Sequence, residues 1–304
     1  MDNFEIKVEE SDINRRIDVF LAMNLESFSR SYIQDLIKKG KACVNKKAVK
    51  SNYRLRDGDI VDLAIPKPEL LEILPENIPL DIVYEDDDVI LINKPKGMVV
   101  HPAAGHYSGT LVNALLYHCK DNLSGINGVL RPGIVHRIDM DTTGIIIACK
   151  NDNAHQHIAK QLAEHSITRK YVAIVEGNIK DDEGTVDAPI ARSKNDRKKM
   201  AVDKDGKRAV THYKVIERLN NYTFIECVLE TGRTHQIRVH MSYIHHPLLG
   251  DEVYSGKKEN IRLEGQCLHA KVLGFIHPRT NEYMEFEAPV PDYFNEILRK
   301  FRKN

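Results

Sequence analysis

Residues 136–144, HRIDMDTTG, place two acids two positions apart, beside an arginine and ahead of a glycine. The stretch lies between the RPG of 131–133 and the apolar run 145–149, which indicates a loop leading into a buried strand. A carboxylate held at the edge of a core can act as a nucleophile or a base if a cation keeps it ionised. The same residues also fit a surface turn in which Asp141 or Thr142 bonds to nearby backbone. These nine residues alone leave both interpretations open.

Length and composition exclude several classes of protein. The chain has 304 residues, zero formal net charge and 42% hydrophobic residues, which suits one large domain or a small and a large one. It has no apolar run of about eighteen residues, and its acidic start lacks an apolar signal core, so we expect neither a membrane span nor secretion. The five cysteines form no CxxC and the fourteen histidines no HExxH, so we expect a reduced, cytoplasmic setting and no metal site.

Two basic islands interrupt the neutral chain. From Arg30 to Arg56, nine Lys or Arg stand against one acid, and from Arg192 to Arg208 eight stand against three. Such islands are typical of contacts with a polyanion, although either could be a solvated surface. Our candidates for phosphate contacts are Arg30, Lys38, Lys39, Lys41, Lys46, Arg197, Lys198 and Lys199.

Proline content predicts a division of the chain. Residues 66–79 hold four of the twelve prolines and should be extended and irregular, as in a linker. We place the linker at 67–80, between an N-terminal domain at 1–66 and a larger domain at 81–304.

The N-terminal domain reads as two helices followed by short strands. Ile17, Phe20 and Leu21 have the spacing of one helical face. A second helix should begin after Ser29, a plausible N-cap, and end at Gly40. The alternating residues that follow predict short strands.

The sequence of the larger domain predicts strands interrupted by single helices. This order lacks regular βαβ alternation and therefore predicts an α+β fold with a mixed sheet. The predicted strands are 88–95, 143–150, 170–177 and 223–232, and the predicted helices are 110–118, 155–165 and 235–244.

Five stretches together resemble one known family. They occur in the order and spacing of the RluA/RluC/RluD family of pseudouridine synthases, most like its RluD branch: INKPKGMVVHP (92–102), HRIDMDTTG (136–144), RKYVAIVEG (169–177), LETGRTHQIRVHMSYIHHPLLGDEVY (229–254) and LHAKVLGFIHP (268–278). The run from Arg16 to Ile65 resembles an S-four-like RNA-binding module. The resemblance implies a pseudouridine synthase fold, with a mixed, mainly antiparallel sheet, behind a small N-terminal αL RNA-binding domain.

The resemblance separates the two acids of the opening stretch. The family pattern is HRLDxxTSG, and its aspartate falls on Asp139, whereas Asp141 occupies a variable position. Ile138 and Thr143 replace the leucine and the serine of the pattern, and both changes are mild. The resemblance therefore implies that Asp139 is catalytic and Asp141 is a turn residue.

Three further residues are implied to support Asp139. Arg233, in the TGR turn, is expected to pair with the Asp139 carboxylate. Tyr171 matches the tyrosine that packs on the uracil, and Arg137 matches the arginine that occupies the space left by the extruded nucleotide. Read without the family, the three could be a surface arginine, an ordinary strand aromatic and a phosphate contact or structural ion pair.

The implied activity is the isomerisation of uridine to pseudouridine in RNA, and we expect the target to be large-subunit ribosomal RNA. The rearrangement has no redox step or phosphate hydrolysis, so no cofactor is expected. The expected partner is ribosomal RNA or a pre-ribosomal particle, bound by a monomer, with no role for DNA or a membrane. The alternative is a non-catalytic RNA-binding or ribosome-assembly factor. A glycoside hydrolase is disfavoured because its two carboxyl groups must stand about 5 Å or more apart on opposite sides of a bond.

Overall fold

The computed structural model describes residues 2–25, 28–65, 73–103, 105–120, 122–126, 128, 131–196, 199–255, 263 and 265–302. The chain divides into two compact units, Met1–Leu71 (unit 1) and Glu72–Asn304 (unit 2). The predicted linker falls at this division. Its residues 67–72 lie outside the described residues, and 73–80 form neither helix nor strand. Within the described part, no helix is long and apolar enough to span a membrane.

Unit 1 packs two helices against a small antiparallel sheet. The strands run in the order β1-β4-β2-β3. The elements are β1 Asp2–Lys7, a 3-10 turn Glu10–Asp12, α1 Ile17–Asn24, α2 Arg30–Lys38, β2 Ala42–Val44, β3 Lys47–Ala48 and β4 Ile60–Ile65.

The two predicted helices of unit 1 form as expected. Ile17, Phe20 and Leu21 are buried on α1 and contribute to the core of the unit. The Ser29 side chain accepts a hydrogen bond from the backbone N–H of Tyr32 and so caps α2. Gly40 follows the helix at φ +69, a left-handed conformation that glycine adopts without strain.

Unit 2 contains eleven strands and four helices among its described residues. The strands are β5 Ile82–Glu85, β6 Val89–Lys94, β7 Thr143–Cys149, β8 Thr168–Glu176, β9 Glu183–Asp187, β10 Ile190–Arg192, β11 Met200–Val202, β12 Val210–Leu219, β13 Tyr222–Leu229, β14 Leu268–Ile276 and β15 Tyr283–Glu287. The helices are α3 Leu111–Cys119, α4 Asp152–Ala163, α5 Gln236–Tyr243 and α6 Asp292–Arg302.

Nine of these strands form one mixed sheet. The order is β5-β6-β7-β14-β8-β13-β12-β9, with β15 added beside β14. Only the β7–β14 pair is parallel, and the other pairs are antiparallel. The predicted α+β class with a mixed, mainly antiparallel sheet is therefore confirmed. β10 and β11 form a separate hairpin.

One glycine allows the two central strands β7 and β14 to approach each other closely. Gly144, at the start of β7, has φ +106, and a Cβ there would lie 2.2 Å from the carbonyl oxygen of Ala270 on β14. Any larger residue would push the two strands apart. The loop 136–142 enters the sheet at this point, so the glycine also fixes the end of the loop.

Candidate active site

The loop 136–142 holds Asp139 at the edge of the central strands. The backbone N–H of Thr142 donates to the carbonyl oxygen of Asp139 at 3.1 Å and closes a turn. His136 accepts a hydrogen bond from the N–H of Ile147 on β7 at 3.2 Å. Burial, with the charge of Arg169, lowers the pKa of His136 to about 3, so it stays neutral. The loop is thus tied to β7 through the neutral imidazole of His136.

Lys94 also fixes the loop 136–142, through hydrogen bonds to backbone carbonyl groups. Its ammonium is fully buried and donates to the carbonyl oxygens of Pro95, Met98 and Met140, each at 2.8 Å. Burial lowers its pKa to about 7, although Asp141 and Asp139 act in the opposite direction. The Met140 carbonyl follows Asp139 directly, so Lys94 positions the loop.

Arg238 binds the Asp139 carboxylate. Its Nη1 donates to Asp139 Oδ2 at 2.8 Å, and its Nε and Nη2 donate to the fully buried Asp251 at 2.7 and 2.9 Å. Burial favours the neutral guanidinium, but the two carboxylates outweigh burial and raise the pKa of Arg238. A permanently charged guanidinium therefore lies between a structural carboxylate and the candidate catalytic one.

The predicted pairing of Asp139 with Arg233 is wrong. Arg233 lies in the turn before α5, and its Nε donates to the carbonyl oxygen of Arg208 at 2.9 Å. The side chain of Gln236 holds this turn by accepting from the N–H of Arg233 at 2.9 Å. Because α5 begins only at Gln236, Arg238 and not Arg233 projects from the first helical turn toward the loop.

A cavity of about 460 Å³ opens beside Asp139. This volume falls within the usual range of small-molecule sites, about 300–1,000 Å³. Its wall includes the predicted residues Asp139, Arg137, Tyr171 and Arg233 together with the unpredicted Arg238. The structure thus brings the four residues proposed from the sequence to one cavity.

Tyr171 and Arg137 differ in exposure. Tyr171, on β8, is buried, and burial together with the nearby Asp139 charge raises the pKa of its phenol against the effect of Arg169. Its hydroxyl is therefore protonated at neutral pH. Arg137 is exposed, and its Nη1 lies 3.1 Å from Nε2 of His101.

A second connection leads from Asp139 to the β10–β11 hairpin. Nε2 of His235 is 3.7 Å from Asp139 Oδ1, and its Nδ1 is 2.8 Å from the hydroxyl of Tyr254. The same hydroxyl accepts from the N–H of Met200 on β11 at 2.9 Å. The Tyr254 ring also packs against Arg238, with the guanidinium carbon 5.1 Å from the ring centre. Tyr254 therefore contacts both groups that face the Asp139 carboxylate.

The sequence interpretation missed Arg238, Asp251, His235 and Tyr254. The sequence carried one signal for two of these residues. His235 and Arg238 are three residues apart, so their side chains lie on the same face when a helix begins between them. The conformation of His235, φ 55 and ψ 22, had no such signal. A left-handed residue other than glycine is uncommon, and such strain concentrates at functional sites.

The two basic islands lie on different units. In unit 1, Lys38, Lys39 and Lys46 are exposed and Lys41 is partly exposed. The guanidinium of Arg30 binds Asp18 and remains half exposed. In the second island, Lys199 is partly exposed at the end of the loop that connects β10 to β11, whereas Arg197 and Lys198 lie outside the described residues.

Among the described residues, one group has side chains that could hold a metal ion, Asp86, Asp88 and His277. Its donor atoms already have protein partners. His277 Nε2 lies 2.7 Å from Asp86 Oδ2, and Arg279 Nε donates to Asp88 Oδ2 at 2.6 Å. None of the three lines the cavity beside Asp139. The geometry is that of a structural ion-pair cluster.

Comparison with known proteins identifies the family. The RNA pseudouridylate synthase family matches residues 88–243, and the S4 domain family matches residues 15–61. The chain is 55% identical over 304 residues, the whole of both chains, to the RNA pseudouridine synthase YlyB of Bacillus subtilis. It is 48% identical over 298 residues, 94% of each chain, to ribosomal large subunit pseudouridine synthase D of Zymomonas mobilis.

A solved structure has the same fold. The human RNA pseudouridylate synthase domain containing 4 superposes with a TM-score of 0.57 at 23% identity, over 73% of this chain and 92% of that chain. The family match and the similarity to full-length relatives show that the chain belongs to the RNA pseudouridylate synthase family. It is an RNA-modifying isomerase that carries an S4 domain, as the resemblance in the sequence implied.

Proposed function

We propose that this chain converts specific uridines of large-subunit ribosomal RNA to pseudouridine, with Asp139 as the catalytic carboxylate. One observation carries the assignment of Asp139: its carboxylate pairs with Arg238 at 2.8 Å and lines a cavity that also contains Tyr171. The choice of RNA is supported by relatives from Zymomonas mobilis and Vibrio vulnificus that are named ribosomal large subunit pseudouridine synthase D.

The proposed roles follow from the exposure of each side chain. The target uridine must leave its stack, which costs about a few kcal/mol. Arg137, exposed on the loop 136–142, would occupy the vacated space, and the buried ring of Tyr171 would pack on the uracil. Arg233, partly exposed at the cavity, would contact the RNA backbone. The rearrangement is redox-neutral, so the proposal includes no cofactor.

The two basic islands would hold the RNA by its phosphates. In this proposal Arg30, Lys38, Lys39, Lys41 and Lys46 act from unit 1, and Arg197, Lys198 and Lys199 act from unit 2. Affinity should then fall steeply between low and moderate salt, because each phosphate contact releases counterions. We further propose that the protein is a cytoplasmic monomer and that it acts on ribosomal RNA or on a pre-ribosomal particle.

The test is pseudouridine mapping of total RNA from cells with and without the gene. Cells lacking it should lose pseudouridine at one or more ribosomal positions, and the wild-type gene should restore it. A gene carrying Asp139→Ala, or the isosteric Asp139→Asn, should not. Purified Asp139→Ala should bind the RNA with nearly unchanged affinity, because the phosphate contacts remain.

The same experiment separates the non-catalytic alternative. A binding or assembly factor would leave every pseudouridine in place when the gene is removed, and Asp139→Ala would behave like wild type in ribosome assembly. Restoration of the modification by Asp139→Ala would show that another residue is the catalytic carboxylate.

A further inference from the structure

A second buried guanidinium in the cavity has no carboxylate partner within the part of the chain that the structure describes. Arg169, on β8, is 6% exposed and lines the cavity beside Asp139. Its Nη2 donates to the carbonyl oxygen of Glu230 at 3.2 Å, and its Nε has no hydrogen-bond partner among the described residues. Burial lowers the pKa of Arg169, and the neighbouring Tyr171 acts in the opposite direction.

The surroundings of Arg169 contrast with those of Arg238. Arg238 binds two carboxylates, whereas Arg169 has one carbonyl oxygen. Isolated buried charges are strongly disfavoured, and buried cations are normally paired. Gly232 leaves space for this group, since a Cβ there would lie 2.5 Å from Arg169 Nη1. A site built around an unpaired cation indicates that the substrate supplies the negative charge.

The position of Arg169 indicates which part of the substrate carries that charge. Successive side chains of a strand alternate between faces, so Arg169 and Tyr171 lie on the same face of β8. The phosphates of an RNA would meet the exposed Arg137 and the partly exposed Arg233 before they reached a side chain so deeply buried. The group next to Arg169 should therefore be the base, which packs against Tyr171.

We propose that Arg169 is a catalytic residue that stabilises the uracil anion released when the glycosidic bond of the target uridine breaks. The electron pair of the N1–C1′ bond stays on the base, which then carries one negative charge over N1, O2 and O4. After the base turns, C5 attacks C1′ and forms the new bond. If Asp139 has attacked the sugar, its C1′–O bond breaks in this step; if Asp139 has removed the C2′ proton, it returns that proton to C2′. C5 then loses its proton and N1 gains one, so the balance closes without another reactant.

This inference rests on the proposed reaction in the cavity, but not on the role of Asp139 within it. The base leaves with the electron pair whether Asp139 attacks the sugar or removes a proton from it. Preorganised donors aimed at a developing anion typically contribute about 10²- to 10³-fold in rate. The same guanidinium has less to bind in neutral uridine, so its effect should fall on the chemical step.

The first experiment compares Arg169→Met, Arg169→Lys and the control Lys170→Met. Lys170 is the next residue on β8, points to the opposite face and lies outside the lining of the cavity, and its substitution changes the net charge equally. The substrate is an RNA hairpin spanning a position mapped in the gene-deletion experiment. Arg169→Met should lower the single-turnover rate constant on the order of 10²-fold with Kd nearly unchanged. Arg169→Lys should restore much of the rate, and Lys170→Met should match wild type.

The thermal midpoint distinguishes a catalytic from a structural role. Removing an unpaired buried charge in favour of an apolar side chain of similar length should leave the midpoint unchanged or raise it. An equal fall in rate and in thermal midpoint would assign Arg169 to the fold and overturn the proposal. A weaker Kd with an unchanged rate constant would assign it to a phosphate contact and overturn the proposal as well.

The leaving base itself provides the sharper test. A hairpin with 5-fluorouridine at the target position releases a more stable anion, because fluorine withdraws electrons. The deficit of Arg169→Met relative to wild type should shrink severalfold with this base, followed as the disappearance of 5-fluorouridine in nuclease digests. An identical deficit for the two bases would refute anion stabilisation. A wild-type protein that modifies neither hairpin would instead refute the proposed function, since Arg169 has been altered in neither reaction.

Discussion

Two carboxylates in different units bind guanidinium groups, yet only one faces a cavity. Asp18, in unit 1, is fully buried and accepts hydrogen bonds from Arg16, Arg30 and Gln34. Asp139, in unit 2, keeps 18% of its side chain exposed and accepts one guanidinium hydrogen bond, from Arg238.

The difference lies in the acceptor capacity left for a substrate. A carboxylate can accept about four hydrogen bonds. At Asp18 the side chains of its own unit occupy that capacity, so the group organises α1 and α2. At Asp139 the Oδ1 atom faces the cavity, and His235, 3.7 Å away, is its only side-chain partner among the residues that the structure describes. A guanidinium partner therefore does not by itself distinguish a structural acid from a reactive one.

The largest effect is expected from Arg238→Lys, which keeps a cation but loses the planar fork that joins Asp139 to Asp251. One lysine cannot reproduce three hydrogen bonds to two carboxylates, so the Asp139 oxygens should lose their orientation. The single-turnover rate of pseudouridine formation should fall on the order of 10²- to 10³-fold. Lysine is the informative substitution because Arg238→Met would leave the buried Asp251 carboxylate without a cation, held by the backbone N–H groups of Val253 and Tyr254.

Arg233→Lys is the matched control for this prediction. Arg233 lines the same cavity but donates its Nε hydrogen bond to a backbone carbonyl. Its substitution should change the rate less than about tenfold, a loss that corresponds to one hydrogen bond. If the two lysine variants lost equal amounts of the single-turnover rate, the reaction would not depend specifically on the Asp139–Arg238 pair.

A smaller effect, on stability, is expected from Asp18→Asn. The variant removes the charge that holds Arg16, Arg30 and Gln34. The free energy of unfolding of unit 1 should therefore fall by about 2 kcal/mol. Because the two arginines are partly exposed and can return to water, the loss should be smaller than for a fully buried pair. Urea denaturation of the full chain, with hydrogen exchange in α1 and α2, measures the effect.

The stabilisation by Asp18 should depend on pH in one direction. Burial raises the pKa of Asp18, but hydrogen bonds from Gln34, Arg16 and Arg30 outweigh it and leave the pKa below the usual 3.8. The stabilisation is then complete above the unfolded-state pKa and disappears as pH falls through the lower folded-state pKa. Wild type and Asp18→Asn should differ in stability at pH 7 and converge at strongly acidic pH. A difference that persists there would assign the effect of Asp18 to packing.

Much of the fold could be predicted because its signals are local. The buried strands β6, β7 and β8 are nearly continuous apolar runs, and α1 and α2 carry apolar residues at helical spacing. α6 was missed although Phe294, Ile297, Leu298 and Phe301 have the same spacing. β9 and β12 were missed because their mixed polar sequences become strands only by pairing with neighbours.

The candidate site was predictable only in part. The loop carrying Asp139 and the strand carrying Tyr171 follow from motifs and periodicity. The choice between Arg233 and Arg238 depends on the residue at which α5 begins, and sequence signals place such boundaries poorly. Asp251 is thirteen residues beyond Arg238, and only the folded turn brings it to the guanidinium. Arg169 likewise lacks a carboxylate partner among the described residues because of which side chains the fold places around it.

The smallest effect is expected from Tyr254→Phe, which keeps the ring against Arg238 but removes the hydroxyl. That hydroxyl joins His235 to the N–H of Met200, so its loss should let the imidazole turn away from Asp139 Oδ1. The single-turnover rate should fall about tenfold or less, as for one hydrogen bond, with little change in Kd. Tyr283→Phe is the control, because its exposed hydroxyl bonds to Thr168 and Glu285 at the far end of β14.

A double-variant cycle tests whether the effect passes through His235. Asn tolerates the left-handed backbone at this position, so His235→Asn removes the imidazole with little strain. If Tyr254 acts by holding His235, Tyr254→Phe should slow the reaction in wild type but not in His235→Asn. Additive losses would instead mean that the hydroxyl acts through the β10–β11 hairpin, and the two oxygens of Asp139 would then depend on separate supports.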